Sequence, residues 1–89
     1  MKIFIVTSLT ESELNNTEIN VLGTLKTFDE AVALMKSCAE DTVKYFKEVG
    51  FDEYDVIDYG DEIVVHTIDK SGDFSGKERV EFDIFEDEI

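Results

Sequence analysis

The stretch from Thr27 to Gly50 constrains this chain most, because it reads as one long amphipathic helix with a signal at each end. Thr27-Phe28-Asp29-Glu30 is an S/T-x-x-E capping box. In such a box the Thr27 hydroxyl accepts from the Glu30 N–H, and the Glu30 carboxylate reaches back to the Thr27 N–H. Gly50 suits the left-handed position after the last turn, with Phe46 and Phe51 as the apolar pair of a Schellman motif. Roughly 21 helical residues would span about 32 Å. Phe28, Val32, Met35, Ala39, Thr42, Phe46 and Val49 recur at steps of three and four, widened by Ala31, Leu34, Cys38 and Tyr45. Asp29, Ala33, Lys36, Glu40, Lys44 and Lys47 lie opposite, so one face meets a core and the other meets water. Acids near the start and lysines near the end suit the macrodipole, and Glu40 and Lys44 have the spacing of an ion pair.

Alternating patterns flank this helix. Ile3 to Val6 is apolar on both parities and predicts a strand interior to a sheet; Ser8 to Thr17 reads as a polar loop. Glu18 to Lys26 predicts a second strand, with Ile19, Val21 and Leu25 sharing a face with Gly23, where a bulge or a close approach would fit. After Gly50 come strands over Tyr54 to Tyr59, Glu62 to Asp69 and Glu78 to Glu86, separated by a tight turn at Gly60-Asp61 and a loop punctuated by Gly72 and Gly76. Asp87-Glu88-Ile89 reads as a frayed tail. The expected fold is α+β, a two-layer sandwich of order ββαβββ. One antiparallel sheet, with a meander over its last three strands, carries the long helix on one face.

At 89 residues the expectation is a single domain, 1–89, with one modest core and no second lobe. The net charge of −14 is uneven: residues 1–51 carry −3 and residues 52–89 carry −11. Such a surface repels nucleic acid and anionic membrane, which leaves basic proteins, cations or no particular partner, with the charge then serving solubility. Cys38, the only cysteine, reads as a buried structural thiol. With no signal-peptide pattern and no run of membrane-spanning length, the expected location is cytoplasmic.

No catalytic motif emerges. The P-loop, G-x-G-x-x-G, C-x-x-C and G-x-S-x-G patterns are all missing, and around His66, the sole histidine, mid-strand between Val65 and Thr67, the sequence indicates no general-base arrangement and no substrate pocket. Asp69-x-Ser71-x-Asp73-x-Ser75 faintly follows a calcium loop, but Phe74 replaces its glycine and Val80 its bidentate glutamate. Asp52, Glu53, Asp55, Asp58, Asp61 and Glu62 are dense, yet Asp55 and Asp58 have opposite parity and can converge only near Gly60. The expectation is therefore no enzyme, no cofactor and no metal. A carboxylate hydrolase would need a concave acidic pocket with contrasting environments.

Every strand has apolar residues on both parities, so one set must face away from a lone helix, and such a patch marks an interface with another protein or a second copy. Glu81 and Asp83 share a strand face with Phe85, and carboxylates two residues apart stand about 6.7 Å from each other. Acidic strands can thus present a rigid negative row, resembling phosphates, to a basic groove. The opening Lys2-Ile3-Phe4-Ile5-Val6-Thr7 and the passage Gly23-x-x-x-Thr27-Phe28-Asp29-Glu30-Ala31 resemble small acidic proteins of phages and mobile elements. Some members of that class are anti-CRISPR or anti-restriction inhibitors that occupy nucleic-acid-binding grooves. The resemblance implies a non-enzymatic protein-binding module, an acidic nucleic-acid-mimicking inhibitor. Its partner would be a basic nucleic-acid-binding protein. The residues expected at the contact are Asp55, Asp58, Glu81, Asp83 and Phe85. The alternative is a homodimeric structural or accessory protein whose acidity serves solubility alone.

Overall fold

A computed structural model describes residues 1–12, 17–48, 53–67 and 78–89. Its elements run β1 (Lys2–Ser12), β2 (Glu18–Leu25), α1 (Phe28–Glu48), β3 (Tyr54–Asp58), β4 (Glu62–Thr67) and β5 (Glu78–Glu88). One helix packs on a five-stranded sheet of order β2-β1-β5-β4-β3, antiparallel throughout. The expected meander of β3, β4 and β5 and the interior position of β1 are both present.

The helix starts where the capping box places it. The Glu30 N–H donates to the Thr27 hydroxyl at 3.1 Å, and Ala31 N–H donates to the Thr27 carbonyl at 3.2 Å. The reciprocal arm differs from expectation: Glu30 Oε1 accepts from the Thr27 hydroxyl rather than from its N–H. Ala31, Met35, Ala39 and Phe46 are buried, and Val43, which the stripe omitted, packs against them. Among the described residues the ion pairs are Lys2–Glu86 and Arg79–Glu81, so the Glu40–Lys44 spacing is not closed into a contact. The Gly50–Phe51 terminus, Val49, Asp52, the end of the fourth strand at Ile68-Asp69 and the calcium-like loop lie outside the described residues.

Phe4, Val6, Ser8 and Thr10 of β1 face the helix, opposite Glu86, Ile84, Phe82 and Val80 of β5. Ile63 and Val65 continue that face on β4. Val6, Met35, Phe46 and Val65 are fully enclosed at its centre. Residues 13–16 of the polar loop expected from Ser8 lie outside the described residues, and its first part, as far as Ser12, is instead the second half of β1. Its apparent polarity misleads because Ser8, though polar, is buried under the helix, and β5 pairs along the whole length from Lys2↔Glu88 to Ser12↔Glu78. The C-terminus is likewise a strand, not a frayed tail. Met1 and Ile89 exchange both backbone bonds, at 2.8 and 2.9 Å.

The expected irregularity at Gly23 is present, but it changes which residues share a face. The β1–β2 register shifts between Val6↔Gly23 and Thr7↔Val21, leaving Leu22 as the extra residue of a bulge. Gly23 and Leu25 therefore face the helix, whereas Ile19 and Val21 face away from it and are exposed. A Cβ at Gly23 would stand 2.8 Å from Leu34 Cδ2, so glycine lets the helix approach this strand.

Candidate protein-binding face

The sheet face away from the helix collects one parity of every strand. Ile3, Ile5, Thr7 and Leu9 of β1 lie beside Asp87, Phe85, Asp83 and Glu81 of β5, while Glu62, Val64 and His66 of β4 lie beside Asp83, Glu81 and Arg79. Ile19 and Val21 extend it on β2, and Asp55 and Ile57 on β3. Ile19 is 72% exposed, Val21 67% and Phe85 56%, so apolar surface remains open over β2 and the end of β5, while Ile3, Ile5 and Leu9 of β1 are half-buried. Over β4 the face is closed: Val64 and His66 are buried, and His66 Nδ1 lies 3.4 Å from the Thr67 carbonyl oxygen. The histidine is thus more enclosed than a half-exposed strand residue.

At the centre stand three carboxylates. Ile84 N–H donates to the Asp61 carbonyl, so Asp61↔Ile84 is a hydrogen-bonded pair and the next pair, Glu62↔Asp83, is not. Side chains in such non-bonded pairs come closest, and like charges there repel. Glu81 lies two residues along the same strand face. One oxygen from each of Glu62, Glu81 and Asp83 lies within 4.8 Å of the other two. Asp83 is pushed up to about 7, first by its partial burial and then by hydrogen bonds to Glu81 and Glu62, with their negative charges adding to both. A hydrogen bond between two carboxyl groups needs a proton, so the trio holds one further up the pH range than an isolated aspartate would. Arg79 balances one of them, its guanidinium donating to Glu81 Oε1 at 3.1 Å.

Of the residues expected at a contact, Glu81, Asp83 and Phe85 come together on β5. Asp55 shares their face but lies two strands away, and its Oδ1 accepts from the Val56 N–H at 3.0 Å. Asp58 lies on the helix side, opposite Ile63, with its Oδ1 accepting from Gly60 N–H at 2.8 Å. It does not join the others. Glu62 and Arg79 belong to the cluster but were not singled out for it. The parity of Glu62 against inward Ile63 and Val65 was readable, but its pairing with Asp83 needed the register.

Three carboxylates bring one oxygen each to a common point, where a hard cation such as Ca²⁺ takes about six to eight. A shallow concavity of about 250 Å³ beside them is lined by Ile57, Tyr59, Glu62, Val64, His66 and Arg79. Chemically, the arrangement can hold a proton between carboxylates or exchange it for an incoming cationic group. No helix among the described residues is long and apolar enough to cross a membrane. No known protein family, curated protein or solved structure matches the chain.

Proposed function

We propose that the protein is a non-enzymatic binding module, a cytoplasmic acidic inhibitor whose uncovered sheet face docks on the basic nucleic-acid-binding surface of another protein. In this two-layer arrangement the helix closes one side and leaves the other for the partner. The observation that carries the reading is the Glu62–Glu81–Asp83 trio set in an apolar frame of Ile5, Leu9 and Phe85. Apolar surface supplies contact area, and a carboxylate cluster selects arginine or lysine at its centre. A net charge of −14 steers a basic partner toward the face. Stacking two copies on this face would bring two trios together, which like charge opposes, so this surface favours a heterologous partner over a homodimer. An incoming guanidinium displaces the Asp83 proton, so affinity rises with pH through about 7.

The test is affinity capture from the source lysate on the wild-type chain and on Glu81→Lys/Asp83→Lys. The reading expects a basic nucleic-acid-binding protein that is released by high salt and by added nucleic acid, and that the variant fails to hold. Equal capture by the variant, or capture indifferent to salt and nucleic acid, would remove it.

A further inference from the structure

The side of β3 on which no described strand pairs offers a second surface, built from different residues. Tyr59 N–H donates to the Glu62 carbonyl at 2.8 Å, so Tyr59, Ile57 and Asp55 turn their backbone bonds toward β4. By alternation Tyr54, Val56 and Asp58 turn theirs outward, and no described strand pairs with them. The helix meets β3 at Tyr54, which packs against the core, and leaves Val56 and Asp58 exposed. Between them runs a groove of about 500 Å³ with an apolar floor that includes Val43, Val56 and Ile63, and a rim on which Lys36, Lys44 and Lys47 outnumber Glu40 and Asp58. Three of the chain's eight basic residues stand on this rim. Val56 is 44% exposed there, and Lys47 Nζ stands 6.0 Å from the Tyr54 ring centroid.

A strand added beside β3 would project alternate side chains into this groove. The groove asks for an apolar residue over Val56 and a carboxylate near Lys47. β3 itself has that pattern, with Val56 and, two residues on, Asp58 on the helix side. We infer that a second copy of this chain fills the site, β3 pairing antiparallel with its twin about Val56 to join two sheets edge to edge. In that register Tyr54 of each copy faces Asp58 of the other, which brings each Asp58 carboxylate to the Lys47 ammonium standing over Tyr54. Tyr54, Val56 and Asp58 then exchange their outward N–H and carbonyl groups across the seam. The two-fold axis of an antiparallel pair is perpendicular to the sheet, so both helices lie on one side and both acidic faces on the other. The face described above therefore stays free, and the inference does not depend on its function.

One group restrains the seam. Asp55 Oδ1 occupies the Val56 N–H, a device that protects an open edge. The two Asp55 carboxylates would also stand about 7–8 Å apart across the axis. Self-association therefore strengthens with salt, which screens the repulsion between two acidic chains.

Sedimentation equilibrium from micromolar to millimolar chain, at low and high salt, tests the seam, with circular dichroism confirming that each variant is folded. The expected result is a monomer–dimer equilibrium shifted to dimer by salt and by Asp55→Ala, and abolished by Val56→Lys. Lys47→Glu and Asp58→Lys should each weaken it about fivefold to tenfold, and together restore it. A monomer throughout, including for Asp55→Ala, overturns the inference. So does a dimer that Val56→Lys leaves intact, or one lost instead on Phe85→Lys, which would place the contact on the acidic face.

Discussion

Replacing Asp83 with asparagine should make the protein more stable above neutral pH and remove part of its pH dependence. The residue ionises at about 7 in the folded chain against 3.8 unperturbed. Between those values the native state holds a proton that the unfolded chain has lost, so stability falls as pH rises, and above about 7 the loss is complete. Undiluted, the shift is equivalent to about 4 kcal/mol. Asp83 is only partly buried, and solvent screening reduces this to about 1–2 kcal/mol. Asparagine keeps the shape and can donate to Glu62 or Glu81 without a charge. Urea denaturation at pH 5 and pH 8 isolates the effect. At pH 5 the advantage of Asp83→Asn should be about a third of its value at pH 8, because the unfolded chain already loses its proton above 3.8. At pH 8 the variant should gain about 1–2 kcal/mol, or about 5–10 °C in Tm for a chain of this size. Glu53→Gln, an exposed site, controls for the change in overall charge. An Asp83→Asn protein no more stable than wild type at pH 8 would refute the reasoning, as would a wild type whose stability rises between pH 5 and pH 8.

Other consequences follow from the core and the helix. Phe46 is fully enclosed, so Phe46→Ala should cost about 3–5 kcal/mol, a large share of the stability of so small a chain, and thermal melting will read it. Gly23→Ala should cost about 1 kcal/mol because its Cβ meets Leu34 Cδ2, and the penalty should shrink in a Leu34→Ala background. The Cys38 thiol is raised by burial and then by Asp41, so it should react with alkylating reagents more slowly than free cysteine at pH 8; faster reaction would contradict its placement.

What was legible in the sequence was whatever is written in local spacing. The Thr27–Glu30 cap and the apolar steps to Phe46 located the helix because each signal is written in residues three or four apart in the chain. Parity within β5 separated Val80, Phe82 and Ile84 from Glu81, Asp83 and Phe85, and parity in β3 separated Asp55 from Asp58. What was hidden depends on neighbours distant in the chain. Ser8 looks like loop sequence, yet it is buried under the helix in a strand held by β5. Asp87 and Glu88 look like a tail, yet Ile3 and Lys2 pair with them. The bulge at Leu22 reverses the facing of Ile19 and Val21, which period-two counting cannot anticipate once a residue is inserted. The carboxylate trio was hidden for the same reason. Glu81 and Asp83 are sequence neighbours, but Glu62 joins them only through the β4–β5 register.

The central claim, that the acidic sheet face is the contact surface, is tested most directly by an NMR titration of the ¹⁵N-labelled chain with a short arginine-rich peptide. The peptide stands in for a basic partner. The account predicts salt-sensitive shifts concentrated on Ile5, Thr7, Glu62, Glu81, Asp83 and Phe85, stronger at pH 8 than at pH 6. Shifts spread evenly over the acidic C-terminal half, or centred on the end of β5 at Asp87 and Glu88 with the trio unmoved, would contradict it.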